Sequence, residues 1–216
     1  AKIADNHAHS HASDWDQHWD HLAQVVHSNT GQLTWDYGDE TVIVHSDKTQ
    51  GIVGFPSEAM YNLPGVMIYP HSEFMSLLLT PLDNRPLVES EHILVTAMAR
   101  DQQHGALYDS YGTTLLETGG PPLMLEPVKA DIVLKGDEIT SVRAVDVYGV
   151  PTDQVVPNTG NYFTIDGRYS TYYYEVRRES SSIPGDANLD GAVTDADYTI
   201  WADHYEQPGD WTAGDF

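Results

Sequence analysis

The sequence predicts a mainly β fold, a two-sheet β-sandwich or jelly roll, with a short helix before it and a loop-helix appendage after it. Three observations predict this. About eleven short apolar runs, each bounded by Gly, Pro, Asn or Asp, follow one another from Gln32 to Val176. Apolar residues spaced three to four apart occur before that series, over residues 13–27, and again after it, beyond Asp195. Between the last strand and the second of these, Arg177 to Pro184 contains a serine run and a proline, the composition of a linker. The expected organisation is therefore an N-terminal segment 1–27, a β domain 28–178, a linker 179–184 and an appendage 185–216.

Taken in order, residues 1–12 are rich in histidine. Asp5, His7 and His9 form an Asp-x-His-x-His series, and imidazoles two apart on a strand end point the same way and can share a metal. The pattern resembles the opening of metal-dependent phosphoesterases of the polymerase-and-histidinol-phosphatase type. It defines the alternative reading, a stand-alone metal-dependent hydrolase. The strand-helix alternation of that barrel is missing here, so a polar connecting segment accounts for the same residues. Over 13–27, Ser13 is a candidate N-cap. Trp15, Trp19, Leu22 and Val26 then recur on one helical face.

Strands are expected at 32–37, 41–45, 51–55, 66–69, 74–80, 93–99, 123–125, 130–134, 139–147, 162–165 and 171–176. Gly38-Asp39 turns the first hairpin. In the last strand, alternation places Tyr173 on one face and Tyr172 and Tyr174 on the other.

Charge and composition exclude several functions. Ten basic residues against 33 acidic ones give a net charge of -23. Such a surface repels phosphate backbones and anionic lipid, so neither nucleic acid nor membrane is an expected partner. With no cysteine, disulfides and thiolate zinc sites are excluded. No Gly-x-Ser-x-Gly elbow and no phosphate-binding glycine loop occurs. Glu89 and Glu91 are one of many carboxylate pairs in so acidic a chain, and read as loop residues. No catalytic residue is assigned, and the chain is not expected to be an enzyme by itself.

Two patterns carry positive information. In the appendage, Asp186, Asn188, Asp190 and Asp197 fall at positions 1, 3, 5 and 12 of an EF-hand-type loop. Gly191 stands at position 6, apolar Val193 at position 8, and Ala192 at position 7, where the ligand is a backbone carbonyl. A hard cation needing six to eight oxygens is served by this spacing, and Ca2+ is the expected cofactor. With a helix after the loop and none before it, Gly185 to Gly191 resembles a repeat of a dockerin module, as found at the C-termini of secreted bacterial polysaccharide-degrading enzymes. That resemblance implies a secreted protein and a cohesin-like partner for the face carrying Tyr198, Trp201 and Tyr205. Gly214-Asp215-Phe216 reads as the start of a truncated second repeat.

The other pattern lies in the β domain. Asn29 to Asp36, Thr49 to Phe55, Ile93 to Asp101 and Leu125 to Val128, within residues 28–135, resemble a segment that follows the catalytic barrel in some bacterial glycoside hydrolases. The resemblance implies a non-catalytic ancillary β-sandwich, with residues 1–27 as the tail of a preceding barrel. Thirteen Tyr and five Trp supply side chains that can stack on the C–H faces of sugar rings. Trp35, Tyr37, Tyr172 and Tyr174 are the candidates for binding polysaccharide. A spacer that buttresses the barrel, with no ligand of its own, is the competing expectation.

Overall fold

The computed structural model describes residues 18–56, 58–179, 185, 187 and 192–204. It is mainly β, and every strand pairing among the described residues is antiparallel. The chain divides into two compact units after Arg178.

The first unit is built on two sheets. The larger contains β1 (Trp19–Asp20), β2 (Val25–His27), β3 (Leu33–Asp36), β4 (Thr41–His45), β5 (Gln50–Gly54), β8 (Met75–Pro81), β9 (His92–Met98), β19 (Tyr173–Arg178), β15 (Ile139–Val145) and β16 (Pro151–Val155), in that spatial order. The smaller runs β17 (Asn158–Thr159), β18 (Tyr162–Ile165), β14 (Ala130–Leu134), β7 (Val66–Pro70) and β6 (Tyr61–Asn62). Period-two alternation decides which side chains meet. Ile52, Leu77, Leu79, Val95, Tyr174 and Val176 from the larger sheet share one buried cluster with Val66, Ile68, Ile132, Phe163 and Ile165 from the smaller. The shared cluster is consistent with a β-sandwich.

The N-terminal helix is not found where it is expected. Residues 13–17 lie outside the described ones, and 18–27 form a hairpin of β1 and β2, closed by a backbone hydrogen bond from His27 N to His18 O at 2.7 Å. Asp20 Oδ1 accepts from Leu22 N at 3.0 Å and Ala23 N at 2.9 Å, an Asx-type turn that competes with helix. Leu22, assigned to a buried helical face, is 97% exposed. Trp19 and Val26, seven apart, are direct cross-strand partners, so a hairpin satisfies the same spacing a helix would. Because β2 pairs with β3, the boundary drawn at residues 27/28 falls inside a continuous sheet.

All eleven expected strands are present, and several short ones between them were not foreseen. Four strands, one of which covers the expected run 123–125, form an arm with no place in either main sheet. In it β10 (Asp101–His104) pairs β13 (Gly120–Leu125), and β11 (Leu107–Tyr108) pairs β12 (Leu115–Glu117). None of its residues belongs to the shared core. Pro121 and Pro122 are tolerated in β13 because that strand has only one partner. At the base of the arm Arg100 donates to Glu126 at 2.8 Å and to Glu73 at 3.0 Å. Those two carboxylates hold the guanidinium above its ordinary range.

Loop 82–91 is organised by Asp83. Its carboxylate accepts from Ser90 Oγ at 2.9 Å, Glu91 N at 2.8 Å, and His92 N and Arg85 N at 3.3 Å each. Burial opposes ionisation, but these donors outweigh it and hold the carboxyl below its usual range. Glu91 is paired to Arg85, so it serves the loop.

Of the second unit, one helix is described, α1 (Asp195–His204), where the sequence places it. Thr194 and Asp197 cap it reciprocally. Ala196 N donates to Thr194 Oγ1 at 3.2 Å, and Thr194 N to Asp197 Oδ2 at 2.7 Å. Asp195 and Asp197 also suit the positive end of the helix dipole. Among the described residues no helix is long and apolar enough to cross a membrane.

Candidate functional site: an aromatic groove on the outer sheet face

The larger sheet has two faces of different character at its N-terminal end. On the inner face, Ile43, Ile52, Leu77 and Ala97 are consecutive cross-strand partners leading into the core. On the outer face the row is Trp19, Val26, Trp35, Val42 and Val53. A row this apolar on a face turned away from the core calls for an explanation. Trp19 is 43% and Trp35 52% exposed.

These side chains are ordered against one another. Tyr37 is two residues beyond Trp35 and so shares its face. Its ring meets Trp35 edge-on at 5.7 Å and Trp19 at 6.3 Å. Trp19 Nε1 donates to the Tyr37 hydroxyl at 3.0 Å. His21 stacks on the indole of Trp19 at 4.3 Å. The backbone beneath is fixed as well, since Tyr37 N donates to Gln24 O at 3.0 Å. Asp36 Oδ1 accepts from Gly38 N at 3.1 Å and Asp39 N at 2.9 Å, which shapes the turn.

A groove of about 1150 Å³ runs across this face. Val26, Leu33 and Val42 form its apolar floor together with the three aromatics, and His18, His27, Ser28 and Asn29 supply polar groups. Ser28 Oγ accepts from Leu33 N at 3.0 Å, pinning the loop between β2 and β3. Apolar faces with a few polar groups at the edge are the chemistry that receives a sugar ring, a planar organic ligand or an apolar partner side chain.

The structure brings Trp35 and Tyr37 together and adds Trp19, which sequence reasoning had assigned to a helix. Tyr172 is half-buried and packs on Tyr173 at 5.4 Å. It precedes β19, which lies five strands from β3, about 24 Å away at ~4.8 Å per strand. Tyr172 is therefore not part of the groove. Tyr174 is a correction. It is 1% exposed, sits in the core against Tyr169, and cannot stack on a ligand. Burial pushes its hydroxyl up to about 12. Alternation separates Tyr173 from Tyr174 but does not say which face is inward.

For the calcium loop, Ala192 and Asp197 lie among the described residues, whereas Asp186, Asn188 and Asp190 lie outside them. Asp197 is 2% exposed, and its Oδ2 accepts from Thr194 N at 2.7 Å and Thr194 Oγ1 at 3.1 Å. Ala192 is exposed. Asp5, His7 and His9 also lie outside the described residues. Among the described residues no three His, Asp or Glu side chains gather as a metal site.

No protein-family model, no curated protein and no solved structure matches the chain.

Proposed function

We propose that this chain is the non-catalytic ancillary region of a secreted bacterial polysaccharide-degrading enzyme. In this reading a β-sandwich binds a carbohydrate chain in the groove of Trp19, Trp35 and Tyr37, and a calcium-binding, dockerin-like appendage follows it. The observation that carries the reading is the pair of exposed indoles on the outer sheet face, Trp19 and Trp35, held by Tyr37 through a hydrogen bond to the first and an edge-on ring contact with the second. Rings held in place before binding lose little entropy when a sugar stacks on them. Trp35→Ala is expected to weaken polysaccharide binding roughly thirtyfold, the ~2 kcal/mol of a central aromatic anchor, with an unchanged melting temperature. Unaltered affinity in that variant, measured by titration calorimetry, would sink the proposal.

Calcium enters through the appendage. Position-12 Asp197 caps α1, so a cation drawing on the same carboxylate would couple loop order to the start of that helix. Tyr198 is 65% exposed and packs on Trp201 at 5.5 Å, a pair suited to a cohesin-like partner. Titrating calcium into the chelator-treated full chain is expected to release heat and raise the helical signal, and Asp190→Ala is expected to abolish both. A silent titration, or full heat in the variant, counts against calcium.

The buttressing role draws on a different observation. Leu115, Leu116, Leu123, Met124 and Leu125 of the arm are all at least 44% exposed. A neighbouring domain of the same enzyme would cover them.

A further inference from the structure

Resting on the carbohydrate reading above, we infer the class of glycan: the groove takes a single chain of an uncharged polysaccharide. It excludes polyanionic glycans and does not seat on the flat face of a crystalline polymer.

Charge is the first argument. Among the described residues no Lys or Arg lines the groove, and His18 and His27 are the basic side chains that do. Next to it Asp20, Asp39 and Glu40 are exposed. The whole chain carries 33 acidic residues against 10 basic ones. A uronate or sulfated polymer would bring a negative charge at nearly every unit into this field without a guanidinium or ammonium to receive it. Like-charge juxtaposition of this kind costs more than stacking supplies. An uncharged chain needs only what the groove has, apolar rings for its C–H faces and a few polar groups for its hydroxyls.

Ring geometry is the second, independent argument. Tyr37 is inclined 86° to Trp19 and 60° to Trp35, so the three rings do not form a common plane. A flat crystalline surface cannot stack on all three at once. A single chain can turn between successive sugars and meet each ring in its own orientation. His21 already covers one face of the Trp19 indole, at 4.3 Å and an interplanar angle of 28°, which leaves that indole a single face to offer. Trp19 and Trp35 stand two strands apart with Val26 between them, ~10 Å at the usual strand spacing. The site therefore spans more than one sugar, and affinity rises with oligosaccharide length before it levels off.

The test uses the full chain at pH 8 and low salt. Soluble neutral polymers (xylan, glucomannan, laminarin, starch) are compared by titration calorimetry with alginate, polygalacturonate and carrageenan. Depletion assays on microcrystalline cellulose and chitin complete the panel. At least one soluble neutral polymer is expected to bind, with every anionic polymer roughly tenfold weaker or worse and no retention on the crystalline solids beyond that of Trp35→Ala. Trp35-dependent binding that is as tight for an anionic polymer, or stronger on a crystalline solid, overturns this inference and leaves the carbohydrate reading intact. No binding to any polymer, or binding indifferent to Trp35, overturns both. Trp35→Phe keeps a ring in the groove and is expected to fall between the wild type and Trp35→Ala. The wild-type ranking needs no variant and decides the matter even if Trp35→Ala does not fold.

Discussion

Gly51→Ala is expected to destabilise the chain by about 4 kcal/mol, at the severe end of single substitutions. Gly51 has φ 157°, and a Cβ there would stand 2.0 Å from the carbonyl oxygen of Leu77 and 2.9 Å from Leu78 Cα. Both obstacles are backbone, so no rotamer change relieves the clash. The residue sits in β5, opposite Val44 on one side and Leu78 on the other. Relief would require β5 to part from β8 where Ile52 and Leu77 close the core. It would also loosen the strands carrying the groove from the rest of the sheet. Gly105→Ala is the matched control. Its φ is +76° with nothing within 4 Å, so only the left-handed backbone opposes a side chain, at about 1 kcal/mol. Urea denaturation of the two variants measures the difference. Equal midpoints would mean that the β5–β8 register described above is wrong.

Arg178→Ala is expected to cost about 3 kcal/mol, whereas Arg178→Met should recover most of that loss. Arg178 is the last residue of β19 and 5% exposed. Its Nη1 donates to Val88 O at 3.0 Å and Leu87 O at 3.4 Å, while Nε and Nη2 find no partner among the described residues. Burial pushes the guanidinium down from its ordinary range, against the pull of Asp137 and Asp83. A charge so incompletely paired repays little of its desolvation, and its aliphatic stem supplies the packing. Alanine removes that stem and leaves a cavity. Methionine fills the space and removes the buried charge. If the two variants are equally unstable in urea, the two carbonyl hydrogen bonds outweigh packing and this account fails.

Legibility in the sequence followed the pleat. In β8, Met75, Leu77, Leu79 and Pro81 are buried while Ser76, Leu78 and Thr80 are half-buried, which alternation alone can predict. Alternation fixes parity and not direction, so Tyr174 was open to misplacement until Tyr169 and the second sheet covered it. The spacing of Trp19 and Val26 fits two turns of helix as well as a tight hairpin, and Asp20 decides between them through its side-chain hydrogen bonds. An Asp before Leu22-Ala23 was the available signal. Of the arm only the run 123–125 was legible, because its other strands are two to four residues long and bury nothing, so they leave no hydrophobic period. Trp35 and Tyr37 were legible as a pair. Their partner Trp19 became visible only when β1 and β2 joined the sheet.

The placement of the indoles determines what tryptophan emission can report. Among the described residues the shared core is built from aliphatic residues with Phe163 and Tyr174, and it holds no tryptophan. Among the described residues the indoles are Trp19 and Trp35 at the groove and Trp201 on α1. Emission from these three indoles is thus an optical readout of the two proposed binding regions, while Trp15 and Trp211 lie outside the described residues. If the proposed ligands bind, these three indoles would respond to a sugar at one and a cation at the other, and they stand apart from the hydrophobic interior.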